Sequence, residues 1–120
     1  MPFVLLHAGY PYVRELSYLA AIHTNVHMDL GLAVPFLAAD VPAMFRAALS
    51  LAPTSKLVFS TDAYSIPEIF WLAARWGRRG LGLVLDEMIA IGALGVDEAR
   101  SVAVDILGGN AARLYGLPLT

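Results

Sequence analysis

Apolar and polar positions in this chain follow two rhythms, short continuous apolar runs and longer stretches with apolar residues three and four apart. The first run, Phe3 to Leu6, ends in His7-Ala8-Gly9-Tyr10-Pro11, which predicts a strand over Phe3 to His7 and a turn over Gly9 to Pro11. Tyr12 to His23 carries Val13, Leu16, Leu19, Ala20 and Ile22 at helical intervals, and Thr24-Asn25 closes it. Asn25 to Leu30 alternates instead. Val26, Met28 and Leu30 share one face of that second strand, and His27 and Asp29 share the other, which is either the interior of a closed sheet or a solvated surface.

Gly31 to Ala39 reads as a loop around Pro35, followed by Asp40 as the cap of a helix from Val41 to Leu51 with Pro42 in its first turn. Pro53 to Ser55 lead into a third strand, Lys56 to Ser60. Ser60-Thr61-Asp62 then break the apolar run, and a helix opens at Pro67, with Ser65 as its cap and Glu68 near the positive end of its dipole. This helical region reaches about Ile91, and the glycines between Gly77 and Gly82 predict a kink or break in it. Gly92 is its stop. Val96 to Leu107 forms a further helix with Asp97 and Glu98 at its start, Gly108-Gly109 end it, and Asn110 caps a last short helix from Ala111 to Tyr115. Strands alternating with helices predict parallel neighbours joined by right-handed crossovers, an α/β fold.

Composition sharpens that picture in one respect. With 120 residues there is room for one domain, and 58% apolar content is high for a domain of this size. The mean hydropathy of +0.66 nevertheless includes no uninterrupted span, because Asp29, Pro35, Asp40 and Arg46 break the apolar stretches short of the roughly 18 residues that cross a bilayer. No basic region precedes the first apolar run, so a secretory leader is not expected. Strands buried on both faces account for much of the apolar content, and the excess points to surface covered by something outside this chain. The formal charge of −2 predicts neither nucleic acid nor an anionic membrane as partner. The absence of cysteine excludes disulfides and thiolate metal sites and is compatible with a cytoplasmic protein.

Candidate chemistry concentrates where the apolar runs stop. The first carboxylate after a buried strand emerges at the strand's C-terminal end, where α/β proteins place ligands, and that carboxylate is Asp62. His7 stands in the same position after the first strand. Read alone, each is also an ordinary loop or strand-end residue. The arginines Arg75, Arg78 and Arg79 read as a solvated helix face sooner than an anion site, His23 as a surface residue, and Phe70, Trp71 and Trp76 as packing between outer helices and strands. Gly108 to Asn110 match no phosphate-binding fingerprint.

Taken together and in order, VLLHAGYPY, NVHMDLGLAVP, KLVFSTDAYSIPE and ILGGNAARLYGL resemble the C-terminal third of the amidohydrolase-related metal-dependent hydrolases. The nearest likeness is to the amidohydrolase domain that some proteins fuse to a glutamine-synthetase-like domain. The resemblance covers the whole chain and implies part of a (β/α)8 TIM barrel, strands six to eight with their helices and a C-terminal helical extension, over residues 1–120. It also implies that Asp62 is the carboxylate after the last strand, which binds the metal and takes a proton from the attacking water. His7 would be the histidine after strand six, a metal ligand in some subgroups and an acid or base in others. The implied cofactor is a divalent ion, zinc by its donors, and the implied substrate a small molecule with an amide-like C–N bond. The first-strand His-x-His pair and the ligand after strand five have no counterpart. The expectation is therefore a fragment, inactive alone, that works with the remaining barrel strands or by self-association. The alternative is a non-enzymatic α/β module that associates through exposed strand edges.

Overall fold

In the computed structural model, which describes residues 1–118, the last two positions of the expected 1–120 unit lie outside the described residues. Three parallel strands form one sheet in the order β1 (Phe3–Leu5), β2 (Val26–Asp29), β3 (Leu57–Val58). Register pairs Phe3 with Val26, Leu5 with Met28 and Met28 with Leu57. Those residues share one face, and Met28 and Leu57 are fully buried on it. Val4, His27, Asp29 and Val58 share the other face. Val4, His27 and Asp29 are only half-buried there, so the strands are not buried on both faces as the apolar content predicts.

The crossovers are helical. α1 (Val13–Ile22) joins β1 to β2, and α3 (Val41–Leu49) lies between β2 and β3. Lys56 ties the end of α1 to the start of β3, its Nζ donating to Ala20 O at 2.5 Å and to His23 O at 2.6 Å. Those carbonyls belong to the helix's last turn, where a cation is favourable. Among the described residues no helix is long and apolar enough to cross a membrane.

Several expectations are corrected. His7 and Ser60 fall just outside their strands. The predicted loop of Gly31 to Ala39 contains a short helix, α2 (Ala33–Leu37), and a 3-10 turn over Ala38–Asp40. Ala33 and Val34 are buried by this helix, and Pro35 is tolerated because it sits in the first turn, where no intrahelical acceptor awaits its nitrogen. Asp40 makes no side-chain cap bond to α3, and the residue preceding α4 (Pro67–Ala90) is Ile66, not Ser65.

No break interrupts α4. Its glycines serve close approach: a Cβ on Gly77 would run into the Phe59 ring, and one on Gly80 would lie 2.6 Å from a Val41 methyl. Phe70 and Trp71 of this helix are exposed, and Trp71 stacks under Arg75 at 5.2 Å, so only Trp76 packs against the core as expected. α5 (Val96–Val104) passes through a π-helical turn over Asp105–Gly109 directly into α6 (Asn110–Tyr115), so Gly108-Gly109 are not a stop. Asn110 is no cap either. It is buried, and its Nδ2 donates to Thr54 O at 2.7 Å and Leu57 O at 2.8 Å.

The C-terminal segment also covers one edge of the sheet. Val58 O faces β2, where it accepts from Leu30 N, so Leu57 and Phe59 present their backbone groups outward. Leu57 O accepts from Asn110, and Phe59 N donates to Ile106 O at 3.0 Å. The opposite edge, β1, carries the exposed side chains of Phe3 and Leu6.

Candidate metal site

His7 leaves the end of β1 and Asp62 follows the end of β3, and both strands run the same way, so the two residues reach the same rim of the sheet. Between them lies β2. Strands two apart are separated by roughly 10 Å, yet His7 Nε2 and Asp62 Oδ2 stand 3.4 Å apart, each side chain reaching over the end of the middle strand.

Backbone geometry makes that reach possible. His7, Ala8 and Gly9 adopt φ of 62°, 54° and 61°, a left-handed turn closed by Gly9 N to Leu6 O and Tyr10 N to His7 O, both at 3.1 Å. Asp62 has φ 53°. A side-chain-bearing residue occupies this region at a cost, and residues held there cluster at functional sites because surrounding structure must over-determine them. At the third strand the determinant is the Thr61 hydroxyl, which accepts from Ala63 N at 3.3 Å on the far side of Asp62.

A second determinant comes from β2. The Asp29 carboxylate accepts from Gly31 N at 2.5 Å and from Ser60 Oγ at 3.0 Å and 2.9 Å on its two oxygens. It thereby ties the end of β2 to the residue two positions before Asp62. Gly31 has to be glycine, because a Cβ there would collide with Ser60 Oγ and lie 2.7 Å from Asp29 Oδ1. Beneath this rim, on the same face of β2, His27 Nδ1 is enclosed and has no hydrogen-bond partner among the described residues. Burial first, and the positive charge of Lys56 second, lower the His27 pKa from its ordinary 6.5, which favours the neutral ring.

The two residues singled out from the sequence are thus brought together, side chains nearly half exposed at 44% and 47%. Their donor types, imidazole and carboxylate, are those zinc accepts. Two such donors on one tetrahedral ion, each ~2.0–2.1 Å from it, lie ~3.3 Å from one another, so the observed spacing fits a shared ion. Among the described residues no group of three or more His, Cys, Asp or Glu side chains could hold a metal. Asp29 therefore acts on the site through Ser60. Sequence reading placed Asp29 on a face with His27 and missed this role, as it missed Tyr10, Leu32, Phe36 and Leu37, which with His7 and Ala33 line a depression beside the pair. The one available signal for the latter was Phe36, a large apolar residue in a segment that reads as loop.

Comparison with known proteins is consistent throughout the chain. The amidohydrolase family model matches residues 1–117. Protein fluG of Emericella nidulans is 41% identical over 116 residues, which are 96% of this chain and 13% of that protein. A crystal structure from Lactobacillus casei, described as a metal-dependent hydrolase, superposes with a TM-score of 0.87 at 30% identity, covering 94% of this chain and 29% of that one. This chain accordingly spans 13% of the length of the first and 29% of the second.

Proposed function

This chain belongs to the amidohydrolase family, and from that premise we propose that His7 and Asp62 are two ligands of a divalent ion in an enzyme that hydrolyses an amide-like C–N bond of a small molecule. The observation that carries this reading is the 3.4 Å approach of imidazole and carboxylate from two different strands over the end of a third. Zinc suits the donor pair.

A divalent ion held by His7 and Asp62 would supply polarisation of a carbonyl and would bring the ionisation of water to near neutral pH. The chain's own residues do the rest. Asp62 accepts the proton of the attacking water at its carboxylate, and His7 Nε2, 3.4 Å from that carboxylate, offers its lone pair as the second donor. Ser60, held by Asp29, keeps the strand end from which Asp62 projects in register with β2.

A catalytic zinc takes about three protein ligands, so further donors belong to the strands that complete the barrel or to an associated chain, and this chain alone is inactive. β1 presents an open edge to a further strand, whereas Leu57 O and Phe59 N on the outer side of β3 are engaged by Asn110 and Ile106 in this chain alone. The second reading, a non-enzymatic module, is supported by the same open edge, where Phe3 of the strand and Met1 and Leu6 beside it are exposed. The two readings share association and differ in chemistry.

The test is turnover by the chain joined to, or co-expressed with, the strands that supply the remaining ligands. His7→Asn and Asp62→Asn are each expected to lower kcat by about 10²–10⁴-fold with the far-ultraviolet circular dichroism unchanged. Turnover unaffected by both replacements refutes the assignment.

A further inference from the structure

The loops that follow β1 and β2 enclose a depression of about 450 Å³ lined by His7, Tyr10, Leu32, Ala33, Phe36 and Leu37. That volume lies within the roughly 300–1,000 Å³ range of small-ligand sites. His7 is a wall of the depression and half of the candidate metal pair, so whatever occupies the space sits directly beside that pair. No lining side chain is a carboxylate, an ammonium or a guanidinium. The polar groups it offers are the His7 imidazole and the Tyr10 phenol, and the rest is aliphatic or aromatic.

The backbone is arranged to keep the aromatic walls out of the core. Leu32 and Ala38, on either side of α2, have φ of 53° and 48°, a conformation that branched and methyl side chains adopt at a cost. Between these two bends α2 buries Ala33 and Val34 and leaves Phe36 72% exposed. Tyr10, across the depression, is 53% exposed. A phenylalanine turned outward by two unfavourable bends, next to a reactive pair, is poor core packing and good ligand packing.

We propose that this depression is the substrate subsite, taking an uncharged apolar group, aromatic or branched aliphatic, carried next to the C–N bond that is cleaved. The inference rests on the hydrolase reading of His7 and Asp62 and adds the class of substrate. Its discrimination is against charge remote from the metal pair: a carboxylate or ammonium packed on Phe36 and Leu37 would meet no opposite charge among the lining side chains. Discrimination against small groups comes from the Phe36 and Leu37 surface they would leave uncovered.

The subsite lies wholly within this chain, so it is tested on the chain itself by nuclear magnetic resonance titration with benzamide, acetamide and succinamate. Benzamide is expected to bind at least about tenfold more tightly than either of the others, with shifts centred on His7, Tyr10 and Phe36. Phe36→Ala should weaken benzamide about tenfold, while Phe36→Leu, which keeps apolar bulk, loses no more than about threefold. Tyr115→Ala, at an exposed position of α6 outside the lining, should leave benzamide affinity within about twofold. Equal affinities for benzamide and acetamide, or indifference to Phe36→Ala in a folded protein, overturn the proposal. So does a Phe36→Ala variant that changes the sedimentation coefficient and not benzamide affinity, since a second copy then covers the depression. If the binding pattern holds while His7 and Asp62 replacements leave turnover of the completed enzyme unchanged, the subsite stands and the hydrolase reading falls.

Discussion

Asp29 carries more of the site than its place on a strand suggests. One carboxylate accepts from a backbone N–H on its own strand end and from the Ser60 hydroxyl on the next, and Asp62 projects two residues beyond that hydroxyl. Asp29→Asn keeps the size but turns one acceptor into a donor and removes the charge that strengthens these bonds. The expected cost is about 1–2 kcal/mol by urea denaturation, discounted from the charged-bond range for partial exposure, with faster amide hydrogen exchange at Ala63. Exchange at Ala63 equal to the wild type would show that the tie does not govern the Asp62 turn. That His7 and Asp62 reach one rim was legible in the sequence because His7 directly follows one apolar run and Asp62 is the first carboxylate after another. Asp29 was not, because alternation tells which face a side chain takes and not which partner it meets 31 positions away. Phe36 was hidden by a related ambiguity, since a five-residue helix with a proline in its first turn carries too little periodicity to separate from a loop.

Among elements, the three strands and the main helices follow from apolar rhythm, and two of the errors share one cause. Glycine was read as a local breaker in α4 and before Asn110, where tertiary contact decides instead. A glycine that lets Phe59 lie against Gly77 gains packing that offsets its helix cost of about 1 kcal/mol. Asn110 shows the same override: its carboxamide is spent on Thr54 O and Leu57 O, pinning the start of β3 and occupying its outer edge. Asn110→Ala strands a buried carbonyl, and each unsatisfied group of that kind costs about 1–3 kcal/mol, so a loss of at least about 1.5 kcal/mol is expected in chemical denaturation. A loss under about 0.5 kcal/mol would mean that water replaces the amide and that the C-terminal helix does not hold the strand.

For the molecule as a whole, the apolar excess visible in the composition has a location. It lies at β1, where Met1 is 90% exposed and Phe3 and Leu6 are open, at Phe36 beside His7, and along the later helices, where Trp71, Ile91 and Val104 are exposed. Fold class and the direction of the strands were legible at this scale, because strand-helix alternation permits few topologies. The closing of the β3 edge was not, since it depends on a π-helical turn that bends the C-terminal segment against the sheet. On the proposed metal reading, the open β1 edge and a donor pair short of the three a catalytic ion takes both call for completion from outside residues 1–118.

The central claim is that His7 and Asp62 hold one ion between them, and calorimetric titration of Zn²⁺ into the folded chain, His7→Asn and Asp62→Asn tests it most directly. The account predicts a single weak site in the wild type and a loss of at least about tenfold in affinity in each variant, with unaltered circular dichroism. Zinc binding of undiminished strength in both variants would contradict it.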